Sequence, residues 1–183
     1  MNGPARKIAA LDIATTCGHA VGCLGEIPRA GSIRLGVIAR DPPQEVFATA
    51  IEWAVAFFER ERPDILIIEA MLPPQAMLNK TSRQVRDRLA GLHGIMLGCA
   101  RRAGVAEFVH VTVGDIRRHF IGDGSLKRNA AKREVIRRCV QLGWPAEDDN
   151  AADALAIWSY ACALLDPKWG LRLTPLFNRA VVL

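Results

Sequence analysis

The amino-acid sequence predicts an α/β fold: one domain built on a mixed five-stranded sheet flanked by helices. Two patterns carry this expectation. Three strand-like segments come before any helical periodicity, and after them short, saturated apolar runs alternate with long helical patterns. Size is the third observation. The chain has 183 residues, 50% of them apolar, which suits a single core, and it shows no repeat, low-complexity tract or second domain. The core of the fold is expected over about 7–165, with 166–183 as an extended tail.

KIAALDIA (7–14) is a mostly apolar run with a carboxylate near its end and reads as a buried strand. GHAVGCLGE (18–26) and SIRLGVIAR (32–40) follow, each introduced by glycine, and complete an antiparallel meander. Pro42 and Pro43 open an apolar-periodic helix through Ile51, Trp53, Ala54, Phe57 and Phe58 that ends before Pro63. DILIIEA (64–70) has the saturation of a central strand covered on both faces. A proline-bearing loop (71–75) leads to a long helix over 80–103, basic in its first half and rich in small residues in its second. EFVHVTV (107–113) is the fifth strand. A short helix (114–121), a glycine-bearing loop, a basic helix (129–142) and a last helix through about 164 complete the pattern, and Pro167 and Pro175 mark the tail as extended.

No apolar run reaches the roughly 18–20 residues that span a bilayer. The opening MNGPARKIAALDIA lacks the apolar block of a signal peptide, and the five cysteines are scattered without a CxxC pair. Both point to a cytoplasmic protein with reduced core thiols. Net charge is +5, and the basic residues are unevenly spread. Arg117, Arg118, Lys127, Arg128, Lys132, Arg133, Arg137 and Arg138 face only Asp123 and Glu134 within 117–138. A local surplus of that kind suits phosphate contacts. The four histidines are scattered and none lies in a GxSxG-like context, which argues against a serine hydrolase. His119, beside the basic segment, is open to either a phosphate contact or a place on a helix surface. Trp53 and Trp158 lie on apolar helix faces and read as core.

Three carboxylates stand where a core normally avoids them: Asp12 between Leu11 and Ile13, Glu69 at the end of ILIIE, and Asp153 in NAADALAIW. A buried, unpaired carboxylate costs several kcal/mol, so it normally has a counter-charge or a metal. One such residue is most simply a turn cap or an arginine partner; three, on two strands and a helix, suggest a shared cation. Two-metal phosphodiester hydrolysis wants this donor set, because hard divalent ions prefer oxygen ligands and hold the attacking water and leaving oxygen in line. Asp149 and Asp153 are i and i+4, and Asn150 and Asp153 are i and i+3, so either pair can face one site. Asp148 reads as the helix N-cap.

The placement of LDIATT, ILIIEA and DNAADALAI, with GDIRRHFIG and KREV between them, resembles the RuvC-type Holliday-junction resolvases over roughly residues 7–165. Any one piece is weak; together, in the family's order and spacing, they are fairly specific. The resemblance implies a ribonuclease-H-like fold and a homodimer that cuts four-way DNA junctions in recombination and repair. It also implies an acidic Mg²⁺ site in each subunit, with two ions expected and Mn²⁺ as a substitute, and paired nicks with 5′-phosphate and 3′-hydroxyl ends. Asp12 then matches the first-strand aspartate, Glu69 the strand-four glutamate and Asp153 the final aspartate. Three residues before that last position the family usually has Asp, sometimes His. Here Asn150 stands there with Asp149 one step earlier, so either Asn150 ligates through its carbonyl oxygen or a shifted helix start lets Asp149 do so. Asp149 is preferred, since a neutral ligand weakens metal binding.

Lys132, opening KREV, falls at a family lysine near the scissile phosphate, and Arg117 falls where the family often has lysine. The loop 122–132 is longer than is common and adds Lys127 and Arg128. After Glu69 the family commonly wedges an aromatic into the junction; here only Met71, Leu72, Pro73 and Pro74 are found. Such departures fit a phage- or prophage-like branch. The DNA surface implied comprises Arg117, Arg118, Lys127, Arg128, Lys132 and Arg133, helped by Lys80 and Arg83. Two subunits are expected to pair through the long helix, using Leu89, Leu92 and Met96. No signal names a branch-migration helicase. Two other readings stay open: a catalytically weak or inactive junction binder, motivated by Asn150, and a nuclease acting on structured RNA. A two-lobed, actin-like ATPase does not fit in 183 residues.

Overall fold

Side-chain alternation along two adjacent strands divides the interior into two cores. The computed structural model describes residues 6–37, 40–71 and 82–173. Strands β1 (Lys7–Asp12), β2 (Thr16–Cys23) and β3 (Arg29–Arg34) form the antiparallel meander. β4 (Ile65–Glu69) lies parallel to β1, and β5 (Glu107–Val111) parallel to β4, giving the order β3-β2-β1-β4-β5. Ile8 and Ala10 of β1 share one core with Ile65 and Ile67 of β4, whereas Ala9 and Leu11 share the other with Leu66 and Ile68. These runs look continuous in sequence because both faces are covered.

Helices α1 (Pro43–Glu61) and α2 (Arg83–Arg102) cover one face. Their contact is close: a Cβ on Gly91 would lie 2.4 Å from the Phe47 ring, so only glycine admits that approach. Helices α3 (Val113–Ile121), α4 (Arg128–Leu142) and α5 (Asp149–Leu165) cover the other, with Trp158 of α5 fully buried at its centre. Trp53 stacks on Phe57 at 4.7 Å, so both tryptophans are packing residues as expected. No helix among the described residues is long and apolar enough to cross a membrane.

Three expectations are corrected. β3 spans 29–34 rather than 32–40, because its ladder with β2 ends at Thr16–Arg34 and the next amides, of Leu35 and Gly36, turn to the Thr15 carbonyl. The tail does not start extended: Pro167–Leu173 form a helix, α6. Pro167 is preset for a first helical position, the Asp166 carboxylate accepts from the Lys168 amide at 2.9 Å, and Trp169 packs edge-on against Trp158. Leu92 and Met96 are no partner surface, because both are fully buried in the α1–α2 core. The small outward residues of α2 are instead Ala90, Gly94 and Gly98, with Arg83, Gln84, Asp87, Arg101 and Arg102 exposed toward its ends. Lys80 and the segment Leu72, Pro73, Pro74 lie outside the described residues.

One ionic hub ties β1, β3 and α1 together. Glu61, 4% exposed, accepts from Lys7 at 3.0 Å, Arg29 at 2.7 Å and Arg60 at 2.9 Å. Burial alone would raise its carboxyl, but the Arg60 and Lys7 hydrogen bonds and the Lys7 and Arg29 charges outweigh that and hold it down to about 2.

Candidate functional site

Asp12 follows Ile8 and Ala10 in phase, and Glu69 follows Ile65 and Ile67, so both carboxylates point to the α5 side of the sheet. β1 and β4 are neighbours running in parallel, with Leu11 beside Ile68, which sets the two acids side by side at the strands' C-terminal ends. The same face receives the start of α5. Asp148 caps that helix, accepting from the Ala151 amide at 2.8 Å, while Ser32 of β3 donates to its other oxygen at 2.5 Å. The helix then presses on β2 through alanines, Ala151, Ala152 and Ala154, all fully buried. Asn150 and Asp153, three apart, face the strand acids.

The result is an open cavity of about 460 Å³, in whose wall Asp12, Glu69, Asn150 and Asp153 meet Arg117, Arg128 and Lys132. Burial, then the Asp153 and Glu69 charges, push the Asp12 carboxyl up to about 7 against the pull of Lys132 and Arg128. Burial also raises Glu69, reinforced by Asp153 and opposed by Arg117. For Asp153, burial outweighs the lowering effect of Lys132 and Arg117. Burial thus outweighs the basic rim at all three acids. Arg117 comes from α3, whose start is fixed by Thr112 accepting from the Asp115 amide, and it reaches the Leu126 carbonyl at 3.5 Å.

The four acid-side donors are three carboxylates and an amide, all offering oxygen, the set a hard divalent cation takes. The residues fit such an ion in donor type and in the desolvation of their carboxylates. Among the described residues, no three His, Cys, Asp or Glu side chains close into a ready-made ligand cage. Asp149 does not line the cavity. Its carboxylate is paired with Lys132 and accepts from the Asn150 amide at 3.3 Å, so Asn150, not Asp149, stands beside Asp153 in the cavity wall.

Of the expected basic surface, Lys127, Arg128 and Arg133 are exposed on or beside α4, and Arg118, exposed, pairs with Asp115. Arg137 pairs with Glu134, and Arg138 is buried, so the helix offers fewer outward charges than its sequence. Arg83 is exposed beside Asp87. His119 makes no phosphate surface: its Nε2 meets Ser159 Oγ at 2.9 Å and its ring leans on Tyr160, between α3 and α5. The sequence reading missed His93, which lines the cavity with Leu89 and Met71. Its one signal was a polar ring inside LAGLHGIMLG, out of phase with the core positions Leu92 and Met96.

No family model and no curated protein matches the chain. Solved structures do. The Thermus thermophilus RuvC structure is similar with a TM-score of 0.64 and 19% identity, covering 87% of this chain and 95% of that one. T. thermophilus RuvC in complex with a Holliday junction substrate gives 0.62 at 19% identity, covering 83% and 90%. The yeast mitochondrial Holliday junction resolvase Ydc2 gives 0.57 at 12% identity, covering 96% and 83%. The chain thus has the fold of the RuvC-type resolvases, the ribonuclease-H-like arrangement.

Proposed function

We propose that this chain is a divalent-metal-dependent endonuclease that resolves four-way DNA junctions by paired phosphodiester hydrolysis, in recombination or repair. The observation that carries the proposal is the convergence of Asp12, Glu69, Asp153 and Asn150 with Arg117, Arg128 and Lys132 on one cavity. Acids without a basic rim would suit many cation sites; acids facing three cations suit a phosphodiester held over metal. The shared fold with resolvases, one of them seen with a junction, supports the same substrate class.

Asp12, Glu69 and Asp153 are the residues that would hold Mg²⁺, two ions in the fullest arrangement, with Mn²⁺ as a substitute. Asn150 is favoured for the fourth position by its place in the cavity wall, while Asp149 orients Lys132. Bound ions supply Lewis acidity and an activated water. Arg117 and Arg128 hold the phosphate, and Lys127 and Arg133 extend the contact along the backbone. A homodimer would match the near two-fold symmetry of an open junction. The outward stripe Ala90, Gly94 and Gly98 on α2, with open space above both glycines, lets a second helix approach closely.

The test is cleavage of a labelled synthetic four-way junction with Mg²⁺ or Mn²⁺. Paired nicks by the wild type, lost in Asp12→Asn and Glu69→Gln while binding survives, support the nuclease. Binding without cutting supports the second reading, an inactive junction binder, which the neutral Asn150 in the cavity motivates. A strict monomer in analytical ultracentrifugation, with and without junction, would exclude the dimer.

A further inference from the structure

Among the described residues, His93 is the one titratable side chain of the cavity wall with no part in the chemistry described so far. It sits on α2 one turn after Leu89, and its Nδ1 lies 3.0 Å from the Leu89 carbonyl oxygen. A carbonyl can only accept, so Nδ1 carries a proton, and in the neutral ring Nε2 keeps its lone pair. No hydrogen bond from a described residue reaches Nε2, and it is not among the buried unpartnered atoms. With Nδ1 engaged by the helix backbone, Nε2 is the ring nitrogen left for a partner in the cavity that His93 lines. Two other histidines are already engaged: His119 with Ser159, and His19 against Trp53 and Phe57.

The ring is also firmly held. Its neighbours Leu92 and Met96 are buried in the α1–α2 core, and Gly91 is pressed against Phe47, so α2 cannot slide without breaking that core. A fixed tautomer, an acceptor nitrogen with no partner among the described residues and a rigid mount beside an acidic and basic cavity are the attributes of a proton acceptor.

We propose that His93 is a catalytic residue: Nε2 accepts a hydrogen bond from the water that attacks the phosphodiester and takes its proton. This rests on the nuclease reading above. In the step, an O–H bond of the water breaks and its proton passes to Nε2 as the water oxygen bonds to phosphorus. The P–O bond to the 3′ oxygen breaks, and that oxygen leaves with the electron pair and takes a proton from solvent. The imidazolium then returns its proton to bulk water, so no oxidant, reductant or co-reactant is needed.

The experiment is single-turnover cleavage of a four-way junction by wild type, His93→Ala, His93→Gln and Asp12→Asn, with and without added imidazole. Junction affinity and melting temperature are measured for each. Both His93 variants are expected to cut about 100-fold more slowly or worse, with affinity within about twofold of wild type. Imidazole should restore His93→Ala at least about tenfold and leave Asp12→Asn inert. In a second arm, the ¹⁵N signal of His93 Nε2 should move when an uncleavable phosphorothioate junction is added. Cleavage by His93→Ala within about threefold of wild type would overturn the role, as would a loss that imidazole does not repair in a variant that still binds and melts normally. An uncut junction with wild type would instead bring down the nuclease reading, and this role with it.

Discussion

Gly18 is the cross-strand partner of Asp12, and a Cβ placed on it would lie 2.0 Å from the carbonyl oxygen of Asn150. Directly opposed residues of an antiparallel pair project to the same face, so the missing side chain marks the spot where α5 comes to rest beside Asp12. Gly18→Ala must therefore lift the first turn of α5 off the sheet, carrying Asn150 and Asp153 with it. The expected result is a loss of about 1–3 kcal/mol of stability together with loss of junction cleavage. Denaturant unfolding and a nicking assay read the two effects on the same preparation.

Asp12→Asn separates stability from function. In the metal-free protein at pH 8 it removes one of three acids that crowd a desolvated space. The variant should be more stable than wild type in EDTA by about 1 kcal/mol, and inactive with Mg²⁺. A variant less stable than wild type in EDTA would mean that the negative charge is already well compensated by Lys132 and Arg128.

Glu61→Gln should cost about 1–2 kcal/mol and leave cleavage intact, because the hub lies away from the cavity. Its carboxyl is held down to about 2 in the fold against an ordinary 4.5. The stability it contributes is then fully present above pH 4.5 and lost as pH falls toward 2. Wild type should lose stability across that window more steeply than Glu61→Gln.

His119 governs a different window. Burial, then the Arg138 charge, lower it to about 4 from the ordinary 6.5. The unfolded chain therefore takes up a proton that the folded chain refuses as pH falls from 6.5 toward 4, and about 3 kcal/mol is lost over that range. His119→Gln, which does not titrate, should show a flatter profile between pH 7.5 and 4.5. Equal slopes for the two proteins would rule out a buried neutral imidazole.

Much of this was legible in the sequence because it depended on local pattern. The saturated run ILIIE and the order of segments gave the central strand, and the capping chemistry of Asp148 placed the start of α5. The acids Asp12, Glu69 and Asp153 stood out as polar residues in apolar surroundings. What escaped depended on contacts between distant segments. A helical period shows that Leu92 and Met96 share a face, but not whether the chain's own core or a second copy covers it. The pairing of Asp149 with Lys132 and the hidden Arg138 needed two helices to be docked. A two-proline tail read as extended because neither Trp169 nor its partner Trp158 announces the other.

The cavity's walls come from opposite ends of the polypeptide: Asp12 on the first strand, Glu69 midway, and Asp153 on a helix that follows every strand. Synthesis proceeds from the N-terminus, so a nascent chain can pair β1 with β4 well before α5 leaves the ribosome. Until then two acids of the cluster exist without the third, and the floor of the cavity is solvent. A truncated or half-made copy thus lacks the third acid, and the cluster is complete only once the last large helix has docked.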